Sequence, residues 1–223
     1  MEAGVNKLCS EEYNIPMDRP SKAKAAKRTA GRPRAFDRQQ ALGIALDLFW
    51  RHGYGGVSIG QLTAAMGISP PSLYAAFGSK EMLYREAVAL YLERYGGFMS
   101  GLLDERRAAR EAVEHALQEV ARQFGHADHA PGCMVSCAEL QAAPDNAALV
   151  AEMAKLRQSA QCALHGRLEA ARKSGEIPSK TDTASLAAYY AMVIQGMAVQ
   201  ARDGAKTALL KRLAVLAMQA WPE

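Results

Sequence analysis

Long apolar runs are what this 223-residue chain most plainly lacks. Hydrophobic residues make up 49% of it, yet they never extend unbroken for the eighteen or so positions a membrane-spanning helix requires. The first twenty residues carry no apolar core of the kind a secretory signal needs, so the expected location is the cytoplasm. Cysteine is scarce. The four at positions 9, 133, 137 and 162 are too few and too scattered for a disulfide framework, and in a reducing compartment they are expected as thiols. Strand-like alternation and internal repeats are missing, which excludes β and solenoid architectures. Catalytic signatures are missing too. There is no glycine-rich phosphate loop, no H-E-x-x-H, no G-x-S-x-G and no compact acid pair, so neither an enzyme nor a cofactor is expected.

What is present is helix signal and an uneven charge. The net charge is +4, but residues 19–34 alone hold Arg19, Lys22, Lys24, Lys27, Arg28, Arg32 and Arg34 with no acid among them, so the rest of the chain is slightly acidic. A basic arm on a mildly acidic body is the asymmetry of a protein that touches a polyanion at one end. Residues 1–34 lack helical periodicity and are expected to be disordered when free. Within them, Gly31-Arg32-Pro33-Arg34 resembles the core of an AT-hook, with Arg32 and Arg34 placed to enter a narrow minor groove.

The stretch from Ser58 to Lys80 organises the remainder. Ser58 with Gln61 forms a capping box, Val57 with Leu62 a hydrophobic staple, and Gly67 a left-handed stop. Ser69 then caps a second helix that has Pro70 at its first position, Gly78 closes it, and Ser79 caps a third. Two helices of about eight residues joined by a Gly-containing turn are a helix-turn-helix signature. The second would enter the major groove, exposing Ser69, Pro71, Ser72 and Tyr74 and turning Leu73 and Phe77 inward. Upstream, Asp37 and Gln40 are spaced as a capping box for a helix with Leu42, Ala45, Leu46 and Phe49 on one face.

Phe36-Asp37 followed by ALDLFWRHGYGGVSIGQLTAAMGISPPSLYAAFGSKEMLY resembles the DNA-binding domain of the TetR/AcrR family of bacterial transcriptional regulators. The clear match covers about fifty residues. The resemblance implies an all-α fold of about nine helices that follows the arm at 1–34: a three-helix DNA-binding head at 35–81 and a helical effector-binding and dimerisation body at 82–223. It also implies that Tyr74 and Lys80 contact phosphates and that Ser58 helps position the backbone. The function it implies is that of a ligand-released repressor, a homodimer on a palindromic operator of double-stranded DNA, responsive to a small apolar or aromatic effector.

Periodicity divides the body further. Tyr84, Val88, Tyr91, Tyr95, Phe98 and Leu102 keep one apolar stripe for over five turns, predicting a long connector helix that Gly96, Gly97 and Gly101 weaken locally. Further helices are predicted over 107–124, 134–142, from a cap at Asp145 to Lys173, from Asp182 to Arg202, and over 206–220. The last two are rich in apolar and small residues, and a helix apolar most of the way round must be covered on both sides. With the resemblance, this assigns Tyr189, Met192, Gly196, Val199, Leu209, Leu213 and Leu216 to a dimer interface. Candidate effector-pocket residues are Tyr91, Tyr95, Met99, Phe124, Met134, His165, Met192 and Gln195, since Met and aromatic side chains adapt to apolar ligands. An alternative stays open: a metal- or redox-responsive regulator sensing through Cys133, Cys137 and Cys162 with His126, His129 or His165, whose soft ligands suit zinc or copper(I).

Overall fold

The computed structural model describes residues 37–102, 104, 106–137 and 146–223, and among them ten α-helices and no strand. The first three make a compact head. Helix α1 (Arg38–His52) starts at Asp37, whose carboxylate accepts from the backbone N–H of Gln39 at 2.8 Å and of Gln40 at 3.3 Å. That is a one-sided cap rather than the reciprocal box the spacing predicts. Helix α2 (Ile59–Met66) has the full box. Gln61 N–H donates to Ser58 Oγ and Ser58 N–H donates to Gln61 Oε1. Helix α3 (Pro70–Phe77) follows its predicted cap, Ser69.

The connector differs from the single long helix that the apolar stripe predicts. Helix α4 (Lys80–Tyr95) stops at Gly96, and a separate α5 (Gly97–Leu102) continues the path. Gly96 still donates to Leu92 O at 2.8 Å, but with φ −79° and ψ 1° it leaves the helical basin. That φ/ψ pair is open to any residue, and the stripe stays inward on both sides of the break: Tyr91 and Leu102 are both buried.

The body comprises α6 (Ala109–Phe124), the short α7 (Met134–Cys137), α8 (Ala147–Ser174), α9 (Thr183–Arg202) and α10 (Thr207–Ala217), which ends in a 3₁₀ turn at Met218–Ala220. The predicted cap Asp145 and the stretch 138–142 lie outside the described residues. Asp182 caps α9 as predicted, accepting from Ser185 N–H at 3.0 Å. Helix α6 has no side-chain cap of its own. Its first N–H, on Ala109, is satisfied from across the body by Glu176 Oε2 at 2.6 Å.

One hydrophobic core runs without interruption from head to body. Phe49, Leu62, Leu73 and Phe77 in the head continue through Tyr84 and Tyr91 of α4 to Leu117 and Phe124 of α6 and Leu168, Tyr190 and Leu210 beyond. The head is therefore packed onto the body as well as joined to it by the chain.

Candidate nucleic-acid interface

The hairpin of α2 and α3 is locked from beneath. Leu62 and Leu73 are fully buried, as is Phe77. The turn between the helices has Gly67 at φ 66°, ψ 32°, and the amide of Ile68 closes onto Thr63 O at 3.1 Å, a left-handed ending that satisfies a terminal carbonyl. Arg38 ties three helices together from the side. It donates through Nε to Ala76 O on α3 and through its guanidinium to both oxygens of Glu86 on α4 at 2.7 and 2.8 Å, lying 4.6 Å above the ring of Phe77. Sequence reasoning misses Arg38 because its partners lie 38 and 48 residues away.

What remains outward is the face expected to read DNA. Ser69 and Pro71 are exposed, Ser72 is half-buried, and Tyr74 is 47% exposed despite sitting next to a fully buried Leu73. The hydroxyls of Ser69 and Ser72 are 2.9 Å apart, and the cap Ser69 also accepts from the Ser72 N–H. Ser58 is exposed at the start of α2. Lys80 is half-buried with its ammonium 4.1 Å above the ring of Tyr54. This contact with an aromatic face holds the cation at the N-terminal end of α4. Ser58, Ser69, Pro71, Ser72 and Tyr74 are thus surface groups of the α2–α3 hairpin, with Lys80 beside it. Arg32 and Arg34 lie outside the described residues.

The residues expected to line an effector pocket divide. Tyr91 is buried with its hydroxyl beside Cys133 and Met134. Burial, with Cys133 next to it, pushes that hydroxyl well above its ordinary pKa. Phe124 and Met134 are buried, and Tyr95, Met99 and Gln195 are half-buried. His165 instead faces Glu169 on its own helix, Nε2 to Oε1 at 3.8 Å, and Met192 is 62% exposed. A side chain that open belongs to an outer surface. There it joins Val199, Leu209 and Leu216, all exposed, and Val215 at 58%, which sequence reasoning overlooked. Tyr189 and Leu213 are half-buried at the edge of this surface, and Gly196 is exposed with open space over its Cα. Projecting 206–220 on a helical wheel would have found Val215, since it adjoins Leu216 on the side away from buried Leu210 and Ala214.

The cysteines and histidines are not assembled. Among the described residues no group of three or more His, Cys, Asp and Glu side chains could hold a metal ion. Cys133 is buried, its sulfur accepting from Ser136 N–H at 3.4 Å, and burial pushes the half-buried Cys137 thiol up, away from thiolate. His126 and His129 stack on each other, 5.6 Å between centroids, and His129 stacks on Trp50 at 4.7 Å. Cys162 and His165 are on α8, and Cys162 is disulfide-bonded, not the thiol that the scarcity and scatter of cysteines predict. Nor, among the described residues, is any helix long and apolar enough to cross a membrane.

This architecture recurs in known proteins. Residues 42–87 match the family described as bacterial regulatory proteins, tetR family. The HTH-type transcriptional repressor ComR of Escherichia coli K12 is 32% identical over 200 residues, 88% of this chain and 94% of ComR. The HTH-type transcriptional repressor BdcR of the same organism is 38% identical over 112 residues, 50% of this chain and 57% of BdcR. A cysteine mutant of the TetR family transcriptional regulator CifR, solved in complex with a 26-bp double-strand operator DNA, superposes with a TM-score of 0.81 at 41% identity, covering 86% of this chain and all of that one. The likeness to ComR and CifR extends over head and body alike, and the chain belongs to the TetR family of bacterial transcriptional regulators.

Proposed function

We propose that the protein is a repressor that binds a palindromic operator as a homodimer and leaves it when a small apolar or aromatic molecule enters the body. The observation that carries this reading is the outward N-terminal turn of α3 on a hairpin whose opposite side is fully buried. Ser69, Pro71 and Ser72 meet base edges, Tyr74 and Lys80 meet phosphates, and Ser58 positions the backbone. The paired prolines leave this face stiff and poor in donors, so base reading leans on a few hydrogen bonds and on thymine methyls. The arm, through Arg32 and Arg34, adds affinity that is largely independent of sequence and falls with salt. CifR was solved on operator DNA, and ComR and BdcR are named repressors, which supports the same role here.

The head at 35–81 needs a partner because one helix-turn-helix reads few base pairs. A two-fold pair reads half-sites roughly 34–36 Å apart or a multiple of that. The exposed apolar surface of α9 and α10 is the place for the second copy. The remainder, 82–223, holds the effector between α4, α6 and α7, where Tyr91, Tyr95, Phe124 and Met134 lie. Binding there shifts dimers toward a head separation that no longer fits successive major grooves. No catalytic step is involved, and the protein works in the cytoplasm where its DNA is.

Selection of bound duplexes from a random library, followed by sequencing, tests this. The purified protein enriches a palindrome, and Tyr74→Ala weakens binding to it by about tenfold while leaving dimer mass and helicity unchanged. Enrichment of A·T-rich DNA without a palindrome would overturn the operator reading. Loss of helicity in the variant would put Tyr74 in the core instead of on the DNA face.

A further inference from the structure

The last turn of a helix leaves carbonyls without partners, and in α1 two of them are met from far along the chain. Phe49 O is taken locally by Gly53 N–H at 2.8 Å. Trp50 O and Arg51 O instead accept from the two terminal nitrogens of Arg202, at 3.1 and 3.0 Å. Arg202 is the last residue of α9, the helix that carries the exposed apolar surface, and its charge sits at the negative end of the α1 dipole. Arg51, one of the two basic residues in that turn with His52, is engaged with Asp47 at 3.0 Å. A planar guanidinium holding two carbonyls fixes orientation as well as distance, which a single ammonium does not.

The stem of Arg202 is walled in. Gly132 sits at φ 77° so close to α9 that an added Cβ would lie 2.5 Å from Ala198 O and 2.9 Å from Arg202 Cγ. Its amide donates to Phe124 O at 3.0 Å, so this wall belongs to the loop next to Tyr91 and Cys133. On another helix, Glu152 of α8 grips Arg85 of α4 with both oxygens, the shortest approach being 2.7 Å. Thus α4 is held from α8 while α1 is held from α9, and the head cannot turn about α4 without breaking the bonds of Arg202.

We propose that Arg202 is a positioning residue for DNA recognition: by clamping the end of α1 to the end of the dimer helix it fixes the angle of the head, and with it the half-site spacing the protein accepts. The consequence for spacing rests on the operator reading above, whereas the clamp itself does not. Both are measurable. For the clamp, spin labels are attached through ketone-bearing unnatural residues at Gln40 on α1 and Glu114 on α6, both exposed, and their separation is read by pulsed dipolar spectroscopy in labelled chains diluted with unlabelled ones. The full-length protein gives a narrow distribution. Arg202→Met broadens it about twofold, Arg202→Lys falls between, and Gly132→Ala broadens it with the arginine still present.

For spacing, the palindrome recovered by selection is remade with one or two base pairs added or removed at its centre. The parent protein discriminates against these by about tenfold or more, and Arg202→Met reduces that to within about threefold while its affinity for a single half-site is unchanged. Distance distributions that superimpose, measured well below the melting temperature of both proteins, overturn the clamp. An unchanged spacing profile overturns its role in recognition. Failure of the parent to select a palindrome sinks the operator reading, and the distance measurement still decides the clamp.

Discussion

Glu176 shows how much one side chain can join. Its Oε2 accepts the first N–H of α6 from Ala109 at 2.6 Å, its Oε1 accepts from Ser174 at 3.1 Å, and Arg167 lies 3.8 Å away. The Ala109 amide first, then Ser174 and Arg167, hold this carboxyl below its ordinary value against the opposing effect of burial. A depressed folded-state pKa contributes stability that is fully present above the unfolded value, about 4.3 for glutamate, and that is lost as pH falls through the lower folded value. Glu176→Gln is therefore expected to melt below the parent at pH 7, with the gap closing beneath about pH 4. Thermal unfolding at pH 7 and pH 3.5 checks this, and an equal gap at both pH values would show that shape rather than charge is responsible. None of this was legible in the sequence, where Glu176 stands in an ordinary turn and Ala109 begins a helix 67 residues earlier. Leu73 and Tyr74, by contrast, were legible, since helical spacing alone turns one inward and its neighbour outward.

At the scale of the element, what could be read was whatever is decided within four or five residues. The caps at Ser58, Ser69, Ser79 and Asp182 all accept the backbone N–H that the sequence assigns to them. Gly67 takes the left-handed conformation at φ 66° with nothing within 4 Å of a Cβ, so a substitution there meets backbone strain and no clash. Gly67→Ala is expected to cost about 1 kcal/mol, lowering the melting temperature by roughly 2–4 °C in a protein of this size. Differential scanning calorimetry reads this directly, and a rise would mean that the turn tolerates another conformation. The end of α4 lies at the limit of such reasoning. Three glycines mark a weak point, but the apolar stripe runs through it in register, so periodicity favours one helix while the backbone makes two. Whether weak points break is decided by packing from other parts of the chain, which no local pattern contains.

Taken as a whole molecule, the protein presents an apolar surface on α9 and α10 that its own body leaves open. Met192, Val199, Leu209, Val215 and Leu216 are each at least 37% exposed there. Replacing Leu216 with glutamate places a charge on the surface proposed for the second copy, where the mate's own substitution would lie near it. The expected outcome is a monomer by sedimentation, still helical, with operator affinity reduced by at least about tenfold because each head then binds alone. A dimer that persists would move the interface elsewhere. The succession of helices from α1 to α3 was legible because cap spacing marks their starts, while the basic arm lies outside the described residues. The way head meets body was not, since Arg202 lies 152 residues from Trp50 and nothing in either neighbourhood names the other.

The same junction has an optical consequence. The chain has two tryptophans. Trp50 is buried edge-on to Tyr91 at 4.8 Å and Tyr95 at 4.9 Å and stacked on His129, while Trp221 sits half-buried near the C-terminus. With Trp221→Phe, emission and near-ultraviolet dichroism come from an indole wedged between the DNA-binding head, the connector and the body. The protein then reports in real time, with no dye attached, each change in the contact between its two halves.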